Sequence, residues 1–469
     1  MGKDKSIKFF LIFCFLLLVF KIFAVYRTDL GFHGDEAQYW AWSKDLSWGY
    51  FSKPPLIAFL IKIFSTIFGN SIFAIKLFPV IFYILTSIAV YFLGKTIFDN
   101  KIGIISGITF FLLPGVSLSS FLISTDVPLL FFWSLALYFS YKQINEPNIV
   151  NAIFIGISIG FGFLAKYAIV YFFICTIFYA FLDRNFFIHV LKNKSLYSLS
   201  FTIFLIIAFP NIYWNINNGW LTLGHTLDNV SIGKFGLEPI EFLNFVFAQL
   251  LIVGPIFSLF FLRYYRDFFK LSESFAFLIS YSFPILVIVA IESLLVRAHG
   301  NWAATSFVSL TILFVSVAHS KSKNFINLNN IVNMAIGTIF FYLVMIGPNI
   351  KVFNQLTGYE DFSKIIIQHS NRENIKNIVI QDRMLLSLMA YHLKDSDFDF
   401  YTPKNPLSAI GNHFQINMGL LKNNEKNFLY IGDQNSLNYV TKNNKISILE
   451  SLDINQKVKN VKIYKYVFD

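Results

Sequence analysis

The chain has 469 residues, of which 55% are hydrophobic and only 14% charged, with a formal net charge of +11. Soluble domains carry roughly 25% charged residues, so an ordinary soluble enzyme is excluded over most of the length and the bilayer is the expected solvent. The positive charge does not imply a nucleic-acid partner, because the cations stand in short clusters between apolar runs and form no basic arm or recognition motif.

The first apolar run, Phe9 to Tyr26, is interrupted by Lys21 and lacks a small-residue cleavage site, so it reads as a retained signal anchor. At about 20 residues per crossing, spans are expected near 8–26, 73–94, 102–118, 126–141, 150–165, 168–182, 197–213, 241–262, 272–295, 302–319 and 329–348. That is about 11 transmembrane helices. Cys14 and Cys175 both lie inside these runs, so neither a disulfide framework nor a cysteine metal site follows.

One set of loops holds Lys3, Lys5, Lys8, Lys95, Lys101, Lys142, Arg184, Lys192, Lys194, Arg263, Arg266, Lys270, Lys321 and Lys323. The opposite loops are longer and hold fewer cations. The positive-inside rule therefore puts the N-terminus in the cytoplasm, and residues 27–72 and everything beyond 349 outside.

Near residue 349 the composition turns to Asn, Lys and Asp. Asn377–Gln381 reads as a buried strand, Arg383–Leu393 as a helix, and Phe398–Tyr401, Phe428–Ile431, Ile446–Leu449 and Val461–Tyr466 as further strands. The expected organisation is a membrane domain over 1–348, with a functional first outer loop at 27–72, and a small extracytoplasmic α/β domain over 349–469. That second domain shows no phosphate-binding glycine loop. Packing over the membrane part and selecting an acceptor are both open roles for it.

The stretch Gly31 to Pro55 places Asp35 and Glu36 among aromatics and ends on Lys53 before two prolines. In the expected topology Asp35, Glu36, Lys53, Asp126, Lys166, Tyr167, His225, Arg297 and His299 all fall at the outer face. Polar groups at membrane depth are costly and usually mark function. A single outward-facing site explains Asp126 and Lys166, whereas ordinary loop polarity suffices for Lys44 or Lys234. Tyr39, Trp40, Trp42, Trp48, Tyr50 and Phe51 suit either an apolar lid or an interfacial aromatic belt.

The run from Asp35 to Pro55 resembles the first outer loop of the GT-C glycosyltransferases, specifically the aminoarabinose-transferase-like branch of the protein O-mannosyltransferase superfamily (family 39/83 type). Four further segments share the likeness, in order: Ser124-Thr125-Asp126-Val127-Pro128, Gly162 to Tyr167, Pro210 to Asn215 with Gly219-Trp220 and His225, and Arg297 to Trp302. The resemblance covers about residues 8–320. It implies a polytopic membrane enzyme of the bacterial cytoplasmic membrane and cell envelope, moving a sugar from a polyprenyl phosphate, with inversion, to lipid A, a glycan or a protein.

Such transfer needs a base, cations for the departing phosphate and an apolar groove for the lipid tail. The resemblance puts the catalytic carboxylate at Asp35, with Glu36 beside it either catalytic or capping the following helix. Lys53, fixed before Pro54 and Pro55, suits a phosphate as a compact point charge. Lys166 and Arg297 are further phosphate candidates. Asp126, Tyr39, Tyr167, His225 and His299 are expected to support the site. No cofactor is implied, no histidine pair has zinc-ligand spacing, and a requirement for a divalent metal is left open. A flippase of a polar lipid-linked substrate is the competing class. It would place charges through mid-span and show an inverted repeat, which this sequence lacks.

Overall fold

The computed structural model describes residues 5–230, 236–270, 272–405, 409–421, 426–437, 440–441 and 446–468. Lys3 and Lys234 lie outside them. The chain separates into two compact units: Met1–Tyr26, Lys53–Ile57 and Lys76–Tyr342 form the first, and Arg27–Ser52, Ala58–Ile75 and Leu343–Asp469 form the second.

The first unit is helical. Helices occupy all eleven expected places, among them Lys5–Arg27, Ile72–Ile97, Asp126–Asn145, Ile149–Ala165, Lys194–Asn217, Ser306–Lys321 and Lys323–Met345. By length and apolarity five helices among the described residues suffice to cross a bilayer singly, or up to seven if each of two bent pairs is one span.

The expected uninterrupted span at 241–262 is corrected. It is two helices, Pro239–Val253 and Pro255–Phe268, bent by 107°. Gly254 causes the break, because its φ of +91° suits glycine and a Cβ there would lie 2.2 Å from the Asn333 Oδ1. Pro255 then starts the next helix where its missing N–H costs nothing. The Asn333 Nδ2 donates to the Val253 carbonyl at 3.2 Å, satisfying a carbonyl that the bend would otherwise orphan. Pro114 divides the expected 102–118 span in the same way, into Asn100–Leu112 and Pro114–Ser119.

Polar groups inside this unit find partners within it. Lys21, fully buried, donates to the Ser120 Oγ at 3.3 Å and lies 4.5 Å from the Phe111 ring centroid. Lys76, also fully buried, donates to the Phe121 carbonyl and sits over that residue's ring. Each ammonium gains a cation–π contact in a dry setting where such contacts are strongest.

The second unit holds a six-stranded sheet in the order β3-β2-β1-β4-β6-β5. Its strands are β1 Asn377–Ile380, β2 Asp399–Pro403, β3 Gly419–Leu420, β4 Phe428–Ile431, β5 Ile446–Leu452 and β6 Val461–Tyr466. β1 pairs in parallel with β2 and β4, and β6 is antiparallel to β4 and β5. Val379, Phe428, Tyr430, Tyr464 and Tyr466 fill its core. The helix Arg383–His392 connects β1 to β2.

Residues 27–52 belong to this same unit. Trp42 stacks on Tyr50 at 4.4 Å, and the His413 ring packs edge-on against both. Tyr391 packs against Phe32 and Trp40 and donates to the Asn70 carbonyl at 3.0 Å. With exposures of 3%, 1% and 0%, Trp40, Trp42 and Tyr50 are core residues. The expectation that they form a lid or a belt is thereby corrected; Trp48, 49% exposed, remains compatible with a belt.

Burial lowers the His413 pKa from 6.5 to about 4. Its neutral form therefore stabilises the fold fully above pH 6.5, and that contribution is lost as pH falls from 6.5 toward 4. At 1.36 kcal/mol per unit the loss is about 3 kcal/mol. His392, also lowered by burial, acts in the same sense. Thermal unfolding at pH 7.5 and 4.5 should show His413→Phe losing less stability in acid than the parent by about that amount. An unchanged acid loss would remove His413 from the explanation.

Candidate functional site

The helix Gly34–Trp42 starts on a reciprocal cap. The His33 Nδ1 accepts from the Asp35 N–H at 3.3 Å, and the Glu36 Oε2 accepts from the His33 N–H at 2.8 Å. The fourth position of the motif is thus spent on a backbone donor that the helix start leaves orphaned. Glu36 is buried, whereas Asp35 is exposed. Two adjacent carboxylates therefore differ in kind: one is structural in position, the other is presented outward beside the positive end of a helix. Tyr39, on the same helix, is buried against Trp42. These three residues belong to the second unit.

The remaining candidates belong to the first unit. The Lys166 Nζ donates to the Asp126 Oδ1 at 2.6 Å, and the Asn301 Nδ2 donates to the Asp126 Oδ2 at 2.7 Å. Segments 40 and 175 residues away in sequence thus converge on one carboxylate. Asp126 opens the helix Asp126–Asn145, as expected, but it is not merely a local cap, since both its oxygens are engaged by distant side chains. Lys166 follows the helix Ile149–Ala165 in extended backbone, which frees its side chain from the helix surface to reach Asp126. Any phosphate drawn to Lys166 would share its ammonium with that carboxylate.

Beside this pair, the Tyr167 hydroxyl donates to the Asn211 Oδ1 at 2.8 Å and accepts from the Asn215 Nδ2 at 3.1 Å. The Asn215 Oδ1 accepts from the Thr222 N–H at 3.2 Å. The network links the end of one helix to Lys194–Asn217 and then to Leu221–Val230, the helix carrying half-buried His225. Arg297 and His299 are exposed, and His299 packs edge-on against Trp302 at 5.6 Å. Lys53 is half-buried.

Sequence reasoning assigned no role to Asn301, Asn211 or Asn215, although each lies inside a motif it singled out. The signal available was an asparagine within an otherwise apolar or aromatic run, where an amide must find a partner. His33 was also missed as the N-cap, because histidine is not among the usual capping residues.

Residues 52–214 match the family described as dolichyl-phosphate-mannose-protein mannosyltransferase. The chain is 27% identical over 385 residues to the lipid A galacturonosyltransferase RgtD of Rhizobium johnstonii, covering 79% of each. ArnT from Cupriavidus metallidurans bound to undecaprenyl phosphate superposes with a TM-score of 0.72 at 11% identity, covering 97% of both chains. The apo state of that protein gives 0.66 over 98% of each. In sequence the chain is similar to glycosyltransferases, and it shares the fold of ArnT.

Removing one partner of a part-buried ion pair strands the other. Asp126→Ala should therefore cost about 3 kcal/mol. Adding Lys166→Met should recover at least about 1 kcal/mol relative to the sum of the single changes. Additive losses of thermal stability in that cycle would show that the two residues do not depend on each other.

Proposed function

We propose that this glycosyltransferase takes its sugar from a polyprenyl phosphate at the outer face of the bacterial cytoplasmic membrane and inverts the anomeric centre. The N-terminus lies in the cytoplasm in this reading, and about eleven crossings leave residues 349–469 outside. The acceptor is a hydroxyl or amine of an envelope lipid, glycan or protein.

Asp35 is the base. It takes the proton of the acceptor as that group attacks the sugar's anomeric carbon, and the carbon–oxygen bond to phosphate breaks with its electrons leaving on the polyprenyl phosphate. One displacement inverts the centre. The observation that carries the assignment is the division of labour between neighbours: Glu36 closes the helix cap, while Asp35 remains solvent-facing on the first turn. A base must reach its proton directly, and only the outward carboxylate has that freedom.

Lys53 neutralises the phosphate as charge develops on it, with Arg297 as an exposed second cation. Asp126, itself held by Asn301, holds Lys166, so that its contribution to phosphate is positioned. Tyr167, His225 and His299 support the site, and Tyr39 secures the helix that carries Asp35. The donor class is supported by the undecaprenyl phosphate of the fold relative, and an envelope-lipid acceptor by the name of the sequence relative.

Transfer measured in proteoliposomes with a polyprenyl-phosphate sugar and envelope extract should fall by about 10²–10⁴ in Asp35→Asn, at unchanged protein level and unfolding temperature. Lys53→Ala should lower transfer by about 10²-fold or more. Full transfer by Asp35→Asn would dismiss the assignment of the base.

A further inference from the structure

The second unit holds a crevice of about 680 Å³ at the carboxyl ends of β1 and β4. Its position follows from topology. From β1 the chain runs outward to β2 and β3, then returns to place β4 on the other side of β1. β1 and β4 are parallel neighbours, so their common carboxyl end is a switch point, the place where open α/β sheets bind ligands. Gln381 and Asp382 line it from β1, and Gly432 and Asp433 from β4.

The two carboxylates there are already committed to backbone. The Asp382 Oδ1 accepts from the Leu385 N–H at 2.8 Å, capping a helix, and the Asp433 Oδ1 accepts from the Ser436 N–H at 2.8 Å. The cations are not so committed. Lys457 and Lys459 line the crevice from the β5–β6 turn, and Lys462 from the start of β6. Lys457 donates to the Gln355 Oε1, whereas among the described residues the ammonium groups of Lys459 and Lys462 donate to no protein acceptor. The turn is firmly built: the Asn455 Oδ1 accepts from the Lys457 and Val458 N–H groups at 3.0 Å, and the Asp453 Oδ1 from the Asn460 N–H at 2.7 Å. Met384, Leu385 and Leu388 supply an apolar wall, the surface on which a sugar ring face can rest. His33 and Gly34, immediately before Asp35, complete the lining.

We propose that this crevice binds an anionic saccharide headgroup, phosphorylated or carboxylated, and so holds the acceptor beside the Asp35 helix. The placement beside a base rests on the reading of Asp35 given above; the binding itself does not. Charge selects the anion, the apolar wall the sugar ring, and the adjoining helix start the direction in which the accepting group is offered.

The test uses the full chain in nanodiscs, with glucose 1-phosphate, glucose, inorganic phosphate and undecaprenyl phosphate as probes in ligand-observed NMR. Glucose 1-phosphate should bind and be weakened at least tenfold by the double variant Lys459→Ser/Lys462→Ser. Lys459→Arg/Lys462→Arg should restore it, and undecaprenyl phosphate binding should be unchanged throughout. Asp35→Asn should bind the sugar phosphate as the parent does, so a wrong base assignment would leave this result intact. Equal binding by parent and serine variant would overturn the site. Competition between glucose 1-phosphate and undecaprenyl phosphate would assign it to the donor and overturn it, and inorganic phosphate binding as well as glucose 1-phosphate would reduce it to a plain anion site and do the same.

Discussion

The Asp126 carboxylate, held at once by Lys166 and Asn301, expresses the constraint that organises the helical unit. Within hydrocarbon no water is available to satisfy a polar group, so each must be satisfied by protein. The cost of leaving a charge unpaired there selects geometry: Lys166 must leave its helix in extended backbone, and Asn301 must arrive from a segment 175 residues further on. Tyr167 with Asn211 and Asn215, and Lys21 with Ser120, obey the same rule at lower stakes. Such pairs fix the register of helices whose apolar faces would otherwise slide against one another with little penalty.

A different logic builds the second unit. Aromatic burial joins residues 27–52 to the C-terminal segment. Trp42, Tyr50 and His413 form one packed stack, and the Asn417 Nδ2 donates to the Asp45 Oδ2 at 2.6 Å. The helix bearing Asp35 is thereby seated on an α/β scaffold as well as capped at its own start. If Asp35 is the base proposed above, it gains from such support, since small displacements of a reacting group are costly.

Much of this was legible in the sequence, for identifiable reasons. Strands such as Phe428–Ile431 and Val461–Tyr466 announce themselves by β-branched and aromatic runs between Asn- and Lys-rich turns, and the structure gives them the same bounds. The helix from Arg383 was readable by its period. The break at Gly254 was missed because hydropathy averages over a window and is blind to one positive φ. β3, two residues long, carries no period at all. At the site, residue types were readable and partners were not. Asp126 and Lys166 stood out as polar groups at membrane depth, but nothing in the spacing says that they touch. Trp40 and Trp42 read as interfacial because tryptophan favours that zone; their burial depends on Tyr391 and His413, which only the folded chain brings near.

Asp45 and Asn417 are 372 residues apart, and this separation bears on biogenesis. The segment carrying Asp35 emerges early from the ribosome, yet its aromatic seat is synthesised almost last. During nearly the whole of translation Trp40, Trp42 and Tyr50 lack the surface that covers them, so the nascent protein passes through a long interval with a greasy, unfinished segment. Completion of this unit is thus timed by the end of the chain's own synthesis, and an abandoned chain would carry the Asp35 helix on an unsupported strap.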